Sequence, residues 1–307
     1  MKKIAFLFAG QGAQYSGMGQ SLYENSAAAK ALYDAAETVR PGTMVQSFSG
    51  TAEELKRTEN TQPCLYLVDL ASALALEEAG VHADGAAGFS LGEVAALAFA
   101  EICSPVDGFR VVSLRGKLMQ EAAEQADTAM CAVVKLDAET VAETAAEFDQ
   151  LYAVNFNCPG QTVVSGLASS MPAFTEKVKA RGGRCIPLAV SAAFHSPFMA
   201  EAAEKFGAFL SGEDFNAPRI PVYANLDAKP YAAERIAETL GQQMCSPVRW
   251  QTTIENMIAD GYTDFIEVGA GKTLSGLVKK ISADVRIYNV DSAETLAETV
   301  KAVQETC

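Results

Sequence analysis

The chain has 307 residues, 49% hydrophobic and 20% charged, enough to bury a large core in one large or two linked domains and too apolar for a disordered chain. Its formal charge of −14 argues against nucleic acid and anionic membranes as partners, since both call for a cationic surface. A small-molecule enzyme remains, with a local basic patch for any acidic partner.

Met1–Lys3 and the apolar run Ile4–Ala9 have the outline of a secretory leader, but the run is short and passes into Gly10-Gln11-Gly12 with no cleavage-type segment. A buried strand over Ile4–Phe8 is the expectation. No stretch approaches the ~20 apolar residues of a membrane span. The seven cysteines (Cys64, Cys103, Cys131, Cys158, Cys185, Cys245, Cys307) are odd in number and lack C-x-x-C spacing, so neither a disulfide framework nor a zinc site is expected, and a reducing cytoplasm is.

Further along, Pro63–Glu78 reads as a helix, Gly85–Phe89 as a short buried strand and Gly92–Ile102 as a helix, an alternation that predicts an α/β layer with a parallel sheet. Between that strand and helix, Gly88-Phe89-Ser90-Leu91-Gly92 matches G-x-S-x-G. This strand-to-helix setting is where a nucleophile elbow belongs: the glycines permit a sharp turn, and the helix N-terminus brings unsatisfied N–H groups near the serine. Five-residue patterns recur by chance, and alone this one leaves a structural turn serine about as plausible as a nucleophile.

Ser104-Pro105-Val106-Asp107 supplies an N-cap, a proline at the first helical position and a capping acid for a helix running to about Glu124. At about 100° per residue, Gly108, Val111, Val112, Leu118, Met119 and Ala122 share the face of Arg115, whereas Lys117, Glu121 and Glu124 point elsewhere. Arg115 therefore centres an apolar face with no acid three or four residues away, and a buried charge needs a partner. A distant protein carboxylate could supply it. A ligand carboxylate, gripped bidentately by the planar guanidinium, could also do so.

The middle of the chain changes character. Ala129–Lys135 strand, Ala138–Glu147 helix, Tyr152–Phe156 and Thr162–Ser165 strands, Met171–Ala180 helix and Arg184–Ala189 strand form a β-α-β-β-α-β order, a ferredoxin-like unit. It is expected to occupy 126–190 as an insertion in a larger α/β-hydrolase-like domain made of 1–125 and 191–307. The α/β patterning resumes with a helix over Pro197–Leu210, extended Val222–Ala224, a helix over Thr252–Ala259 and extended Phe265–Val268. The cleft between the two units is the default ligand site.

A serine hydroxyl needs a base, and only His82 and His195 exist to supply it. His82 lies in the loop Gly80–Asp84 and reads as a surface residue. His195 precedes Ser196-Pro197, a helix-start signature that suits projection into a cleft. Two nucleotide motifs fail. Gly271-Lys272-Thr273 has Ile266 where a P-loop needs its first glycine, and Gly10-Gln11-Gly12 has Tyr15 where a dinucleotide fingerprint needs one, so neither ATP nor NAD is implied.

Longer stretches carry a resemblance. Phe8-Ala9-Gly10-Gln11-Gly12-Ala13-Gln14, Gly88–Glu93 with Val94–Leu97, Leu114-Arg115-Gly116-Lys117, Asn155–Gln161, Phe194-His195-Ser196-Pro197, Pro247-Val248-Arg249-Trp250 and Glu267–Lys272 resemble the signatures of the malonyl-CoA:acyl carrier protein transacylase family, in order, across nearly the whole chain. The resemblance implies Ser90 as nucleophile, His195 as base, Arg115 as the clamp for the malonyl carboxylate, and the backbone N–H groups of Gln11 and Leu91 as the oxyanion hole. Leu91 also follows from the elbow, as the residue after the nucleophile. A main-chain carbonyl, placed by the resemblance at Gln243, is expected to orient the histidine. Substrate and partner would be malonyl-CoA and an acyl carrier protein, without metal or redox cofactor, supplying extender units for fatty-acid synthesis. A trans-acting polyketide acyltransferase and a serine hydrolase or thioesterase are the alternatives, the hydrolase lacking an evident triad carboxylate. Phe89 departs from the histidine that most family members carry before the serine. A bulky Phe194 is expected to crowd an α-methyl branch on the acyl group. An acidic carrier is expected to dock on Lys177, Lys179, Arg181 and Arg184, with Lys272, Lys279 and Lys280 nearby.

Overall fold

A computed structural model describes residues 2–190 and 192–305. Its nine strands are β1 (Ile4–Phe8), β2 (Gly85–Gly88), β3 (Thr128–Val134), β4 (Leu151–Cys158), β5 (Gln161–Leu167), β6 (Arg184–Pro187), β7 (Val222–Tyr223), β8 (Asp264–Val268) and β9 (Arg286–Val290), and they form two sheets. The larger is parallel throughout, in the order β7-β2-β1-β8-β9. β1, with every residue buried, is its centre, as a continuous apolar strand covered on both faces should be. Phe8 is in register with Gly88 on one side and Val268 on the other, so the loops after β1, β2 and β8 leave from the same edge. That carboxyl edge is where open α/β sheets place ligands.

The smaller sheet is antiparallel, in the order β4-β5-β3-β6, with helices Ala138–Ala146 and Met171–Ala180 on one face around Val133, Val141, Val164, Phe174 and Val178. The β-α-β-β-α-β order and the mixed α/β class are as expected from the sequence. The smaller sheet is tied through β4 to the loop before helix Trp250–Ala259, where Phe156 N–H donates to Val248 O and Val248 N–H to Val154 O.

Other boundaries moved for identifiable reasons. The helix expected at Pro63 begins at Thr58, whose N–H is capped by the Gln120 side chain at 2.9 Å, so Pro63 sits inside it. β6 stops at Pro187 instead of Ala189, with one further bond to β3 from Leu188 N–H to Met130 O at 3.0 Å. The helix expected over Pro197–Leu210 opens as a 3-10 turn, Pro197–Met199, before Ala200–Leu210. Four helices between Gln20 and Lys56, together with helix Thr273–Ile281, β9 and helix Ala293–Glu305, were not anticipated. β9 is a half-exposed edge strand whose alternation is correspondingly weak. The six cysteines among the described residues are free thiols; Cys307 lies outside them. Among the described residues no helix is long and apolar enough to cross a membrane.

Candidate active site

The elbow follows β2. Helix Gly92–Phe99 starts so close to the strand that a methyl at Gly88 would fall 2.0 Å from the Gly92 carbonyl carbon, and one at Gly92 would fall 2.3 Å from Phe8 O. Only hydrogen fits at either position. Between them Ser90 takes φ 55°, a left-handed conformation unusual for a residue with a side chain. Its backbone is pinned on both sides: Ser90 N–H donates to Asn225 Oδ1 at 2.8 Å, and Ser90 O accepts from Gln243 Nε2 at 2.8 Å. Asn225 also donates from Nδ2 to Gly88 O at 2.6 Å, so one side chain from the loop after β7 spans the turn.

His195 arrives from the loop after β6. Its φ of 60° turns the ring inward, and Ser165 of β5 steadies the loop by donating to Phe194 O at 3.2 Å. His195 Nε2 lies 2.7 Å from Ser90 Oγ. On the other side of the ring, Nδ1 faces Gln243 O at 3.0 Å and Ser246 O at 3.2 Å. Carbonyl oxygens only accept, so the proton sits on Nδ1 and the Nε2 lone pair faces the serine O–H. Burial, and then the nearby Arg115 cation, push His195 down to about 4 against the lift from those two carbonyls. The ring is neutral at physiological pH.

Arg115 occupies the apolar face of helix Pro105–Ala123 and is fully buried. Nη1 donates to Gln62 Oε1 at 2.9 Å, and Nη2 donates to Ser90 Oγ at 3.1 Å and Gln243 Oε1 at 2.8 Å. Its Nε finds no acceptor, and no carboxylate pairs with it among the described residues. Burial lowers it to about 10, so it stays cationic at neutral pH. The guanidinium is thus held by neutral amides and a hydroxyl, a resting set that an anionic ligand can replace.

The backbone N–H groups of Gln11 and Leu91 have no hydrogen-bond partner among the described residues, whereas the N–H of Ser90 itself is taken by Asn225. Gln11 is steadied through Nε2, which donates to Thr58 Oγ1 at 3.3 Å. Beside His195, Phe194 lines a cleft of 220 Å³ with Thr58, Gln120, Val190 and Ala192. A larger groove of 560 Å³ lies between helices Ala200–Leu210 and Ile236–Gln243 and holds none of these residues. Phe89 turns away from the serine and stacks edge-on against Trp250, with centroids 5.4 Å apart. His82 is on the surface, 3.0 Å from Glu77.

Sequence reasoning did not anticipate Gln62, Asn225, Tyr231, Ser246 or the side chain of Gln243. Gln62 carried no distinct signal, because it follows the polar run Thr58-Glu59-Asn60-Thr61 at the start of its helix. Asn225 and Tyr231 carried none, because their roles depend on a loop returning from more than a hundred residues away.

The chain is similar over nearly its whole length to known proteins. A family pattern described as "Acyl transferase domain" matches residues 5–301. A malonyl CoA-acyl carrier protein transacylase of Bacillus subtilis (strain 168) is 41% identical over 99% of this chain and 98% of its own. The crystal structure of a malonyl CoA-acyl carrier protein transacylase from Clostridium perfringens superposes with a TM-score of 0.95 at 35% identity, covering 99% of this chain and 98% of that one. A malonyl-transacylase solved in complex with its type II polyketide acyl-carrier protein gives 0.94 at 34% identity, over 98% and 100% of the two chains.

Proposed function

The chain belongs to the acyl transferase family, and we propose that it moves malonyl groups from malonyl-CoA to the phosphopantetheine thiol of an acyl carrier protein, supplying extender units for fatty-acid synthesis. The observation that carries this reading is the placing of one hydroxyl, Ser90 Oγ, 2.7 Å from a neutral imidazole and 3.1 Å from an arginine with no protein carboxylate. In the first half-reaction Ser90 Oγ attacks the thioester carbonyl and gives its proton to His195 Nε2. The tetrahedral oxyanion is met by the Gln11 and Leu91 N–H groups, and Arg115 grips the distal carboxylate. As the C–S bond breaks, CoA thiolate takes the proton from His195, leaving malonyl-Ser90. The carrier thiol then attacks that ester with His195 as base, and Ser90 recovers its proton.

The Gln243 and Ser246 carbonyls hold the histidine where a hydrolase triad would use a carboxylate. That weaker orienter suits an acyl-serine that must outlast water to meet a thiol. Exchange of one thioester for another requires neither metal nor redox cofactor. We assign the reaction to the cytoplasm on cysteine usage.

Docking of an acidic carrier is narrowed by two ion pairs. Lys177 and Arg181 both lie 2.7 Å from Glu147 and share its single negative charge. Lys179, Arg184, Lys272 and Lys279 have no ion-pair partner among the described residues and make the better patch. The two-step scheme is tested by initial rates with both substrates varied. Parallel double-reciprocal lines support the acyl-enzyme, and intersecting lines sink it.

A further inference from the structure

Arg115 is a buried cation without a contacting anion, and Glu93, three residues after the nucleophile, is a buried carboxylate without a contacting cation. The same few residues join them. Asn225 N–H donates to Glu93 Oε2 at 2.7 Å and Tyr231 O–H donates to Glu93 Oε1. Asn225 Oδ1 accepts from Gln243 Nε2 at 3.4 Å, and Gln243 Oε1 accepts from Arg115 Nη2 at 2.8 Å. We infer that Glu93 is the internal countercharge of Arg115, and that it competes with the substrate's carboxylate for that cation. This rests on the reading of Arg115 as the malonyl clamp.

Among the described residues, the groups of negative charge that act on Arg115 are Glu93 and the Tyr231 phenol. Glu93 lies on helix Gly92–Phe99, which packs on β1, β2, and helices Thr58–Glu78 and Pro105–Ala123. β1 and β2 carry no ionisable side chain. Helix Thr58–Glu78 carries Glu59, Asp69, Glu77 and Glu78, of which Asp69 is fully buried, its carboxyl held well above the usual range by burial and then by Glu267; helix Pro105–Ala123 carries Asp107, Arg110, Lys117 and Glu121 besides the buried Arg115, and the loop after β7 contributes Tyr231. Burial pushes Glu93 up to about 7, against the hydrogen bonds from Tyr231 and Asn225 and the pull of the nearby Gln243 amide and Arg115. It is therefore divided between its two protonation states at neutral pH. His195, at about 4, stays neutral through the same range.

The sign of the coupling follows. Below neutrality Glu93 is protonated, Arg115 has no anionic neighbour, and a malonyl carboxylate meets an uncompensated cation. As pH rises through about 7, ionised Glu93 satisfies Arg115 from behind and the malonyl carboxylate gains less. By linkage, malonyl binding must draw a proton onto Glu93. Glu93 is thus a specificity-determining positioning residue that acts through Gln243 and Arg115.

The test is the ratio of kcat/KM for malonyl-CoA to that for acetyl-CoA, whose identical CoA cancels every other titration. In the wild type the ratio should fall at least about fivefold between about pH 6 and about pH 8. In Glu93→Gln it should be flat in pH and above the wild-type value at the alkaline end. Tyr231→Phe, which removes a hydrogen bond favouring the carboxylate, should move the fall to higher pH. A wild-type ratio independent of pH, or a Glu93→Gln profile parallel to the wild type, overturns the countercharge. Arg115→Ala separates the premises. If it collapses the ratio while the other profiles run flat or parallel, the countercharge alone fails; if it leaves the ratio unchanged, the malonyl clamp fails with it.

Discussion

The elbow and the clamp meet at Ser90, whose Oγ accepts from Arg115 Nη2 and whose main-chain carbonyl accepts from Gln243 Nε2, yet they are built in opposite ways. The elbow is local: Gly88 to Glu93, shaped by the absence of two methyl groups and a serine turned to positive φ. The clamp is assembled from Gln62, Ser90, Arg115 and Gln243, contributed by four segments far apart in the chain and held by neutral acceptors. In the proposed reaction the first device sets whether acyl transfer occurs at all, and the second sets which acyl group is taken. Backbone geometry cannot be tuned without breaking it, whereas a buried electrostatic shell can be.

The difference can be broken at each end. The largest effect is expected from Ser90→Ala, which should lower transfer of every acyl group by on the order of 10⁴-fold or more, as removal of an activated nucleophile does. Retention of near-normal rate for any donor would separate the elbow from the chemistry. Arg115→Ala should cost malonyl transfer about 2–5 kcal/mol, the range for truncating one member of a buried charge pair, while acetyl transfer changes far less. Specificity constants for the two donors check it, and equal losses would make the clamp a part of the elbow. Gly88→Ala should destabilise the fold by about 1–3 kcal/mol through forced repacking, read as a drop in the denaturant midpoint at constant slope. No change in the midpoint would show that strand and helix can part more easily than the 2.0 Å approach implies. The smallest effect belongs to the surface: reversing Lys179 and Arg184 should weaken the carrier half-reaction and flatten its salt dependence while leaving CoA kinetics alone. Reversal of the paired Lys177 and Arg181 should do less, and the opposite ranking would restore the original patch.

What was legible in the sequence divides along the same line. The elbow, β1 and the helix from Ser104 announce themselves, because their signals are a few adjacent residues: glycines at fixed spacing, a five-residue apolar run, an N-cap before a proline. Arg115 was legible as a problem, a cation on an apolar face, but its acceptors were not. Gln62 sits in another helix, and Gln243 supplies both the carbonyl that holds His195 and the amide that holds Ser90. No local pattern encodes a residue used through both its main-chain carbonyl and its side-chain amide. Asn225 is the extreme case, since its segment reads only as a short extended stretch, yet it fixes the strained turn of the nucleophile.

The central claim is a malonyl group carried on Ser90, and it is read most directly by peptide-level mass spectrometry after brief mixing with malonyl-CoA, before and after addition of the carrier protein. The account predicts malonyl on the peptide containing Ser90, lost on addition of carrier as malonyl-carrier appears. Free malonate accumulating in place of malonyl-carrier, or a modified peptide that does not contain Ser90, would contradict it.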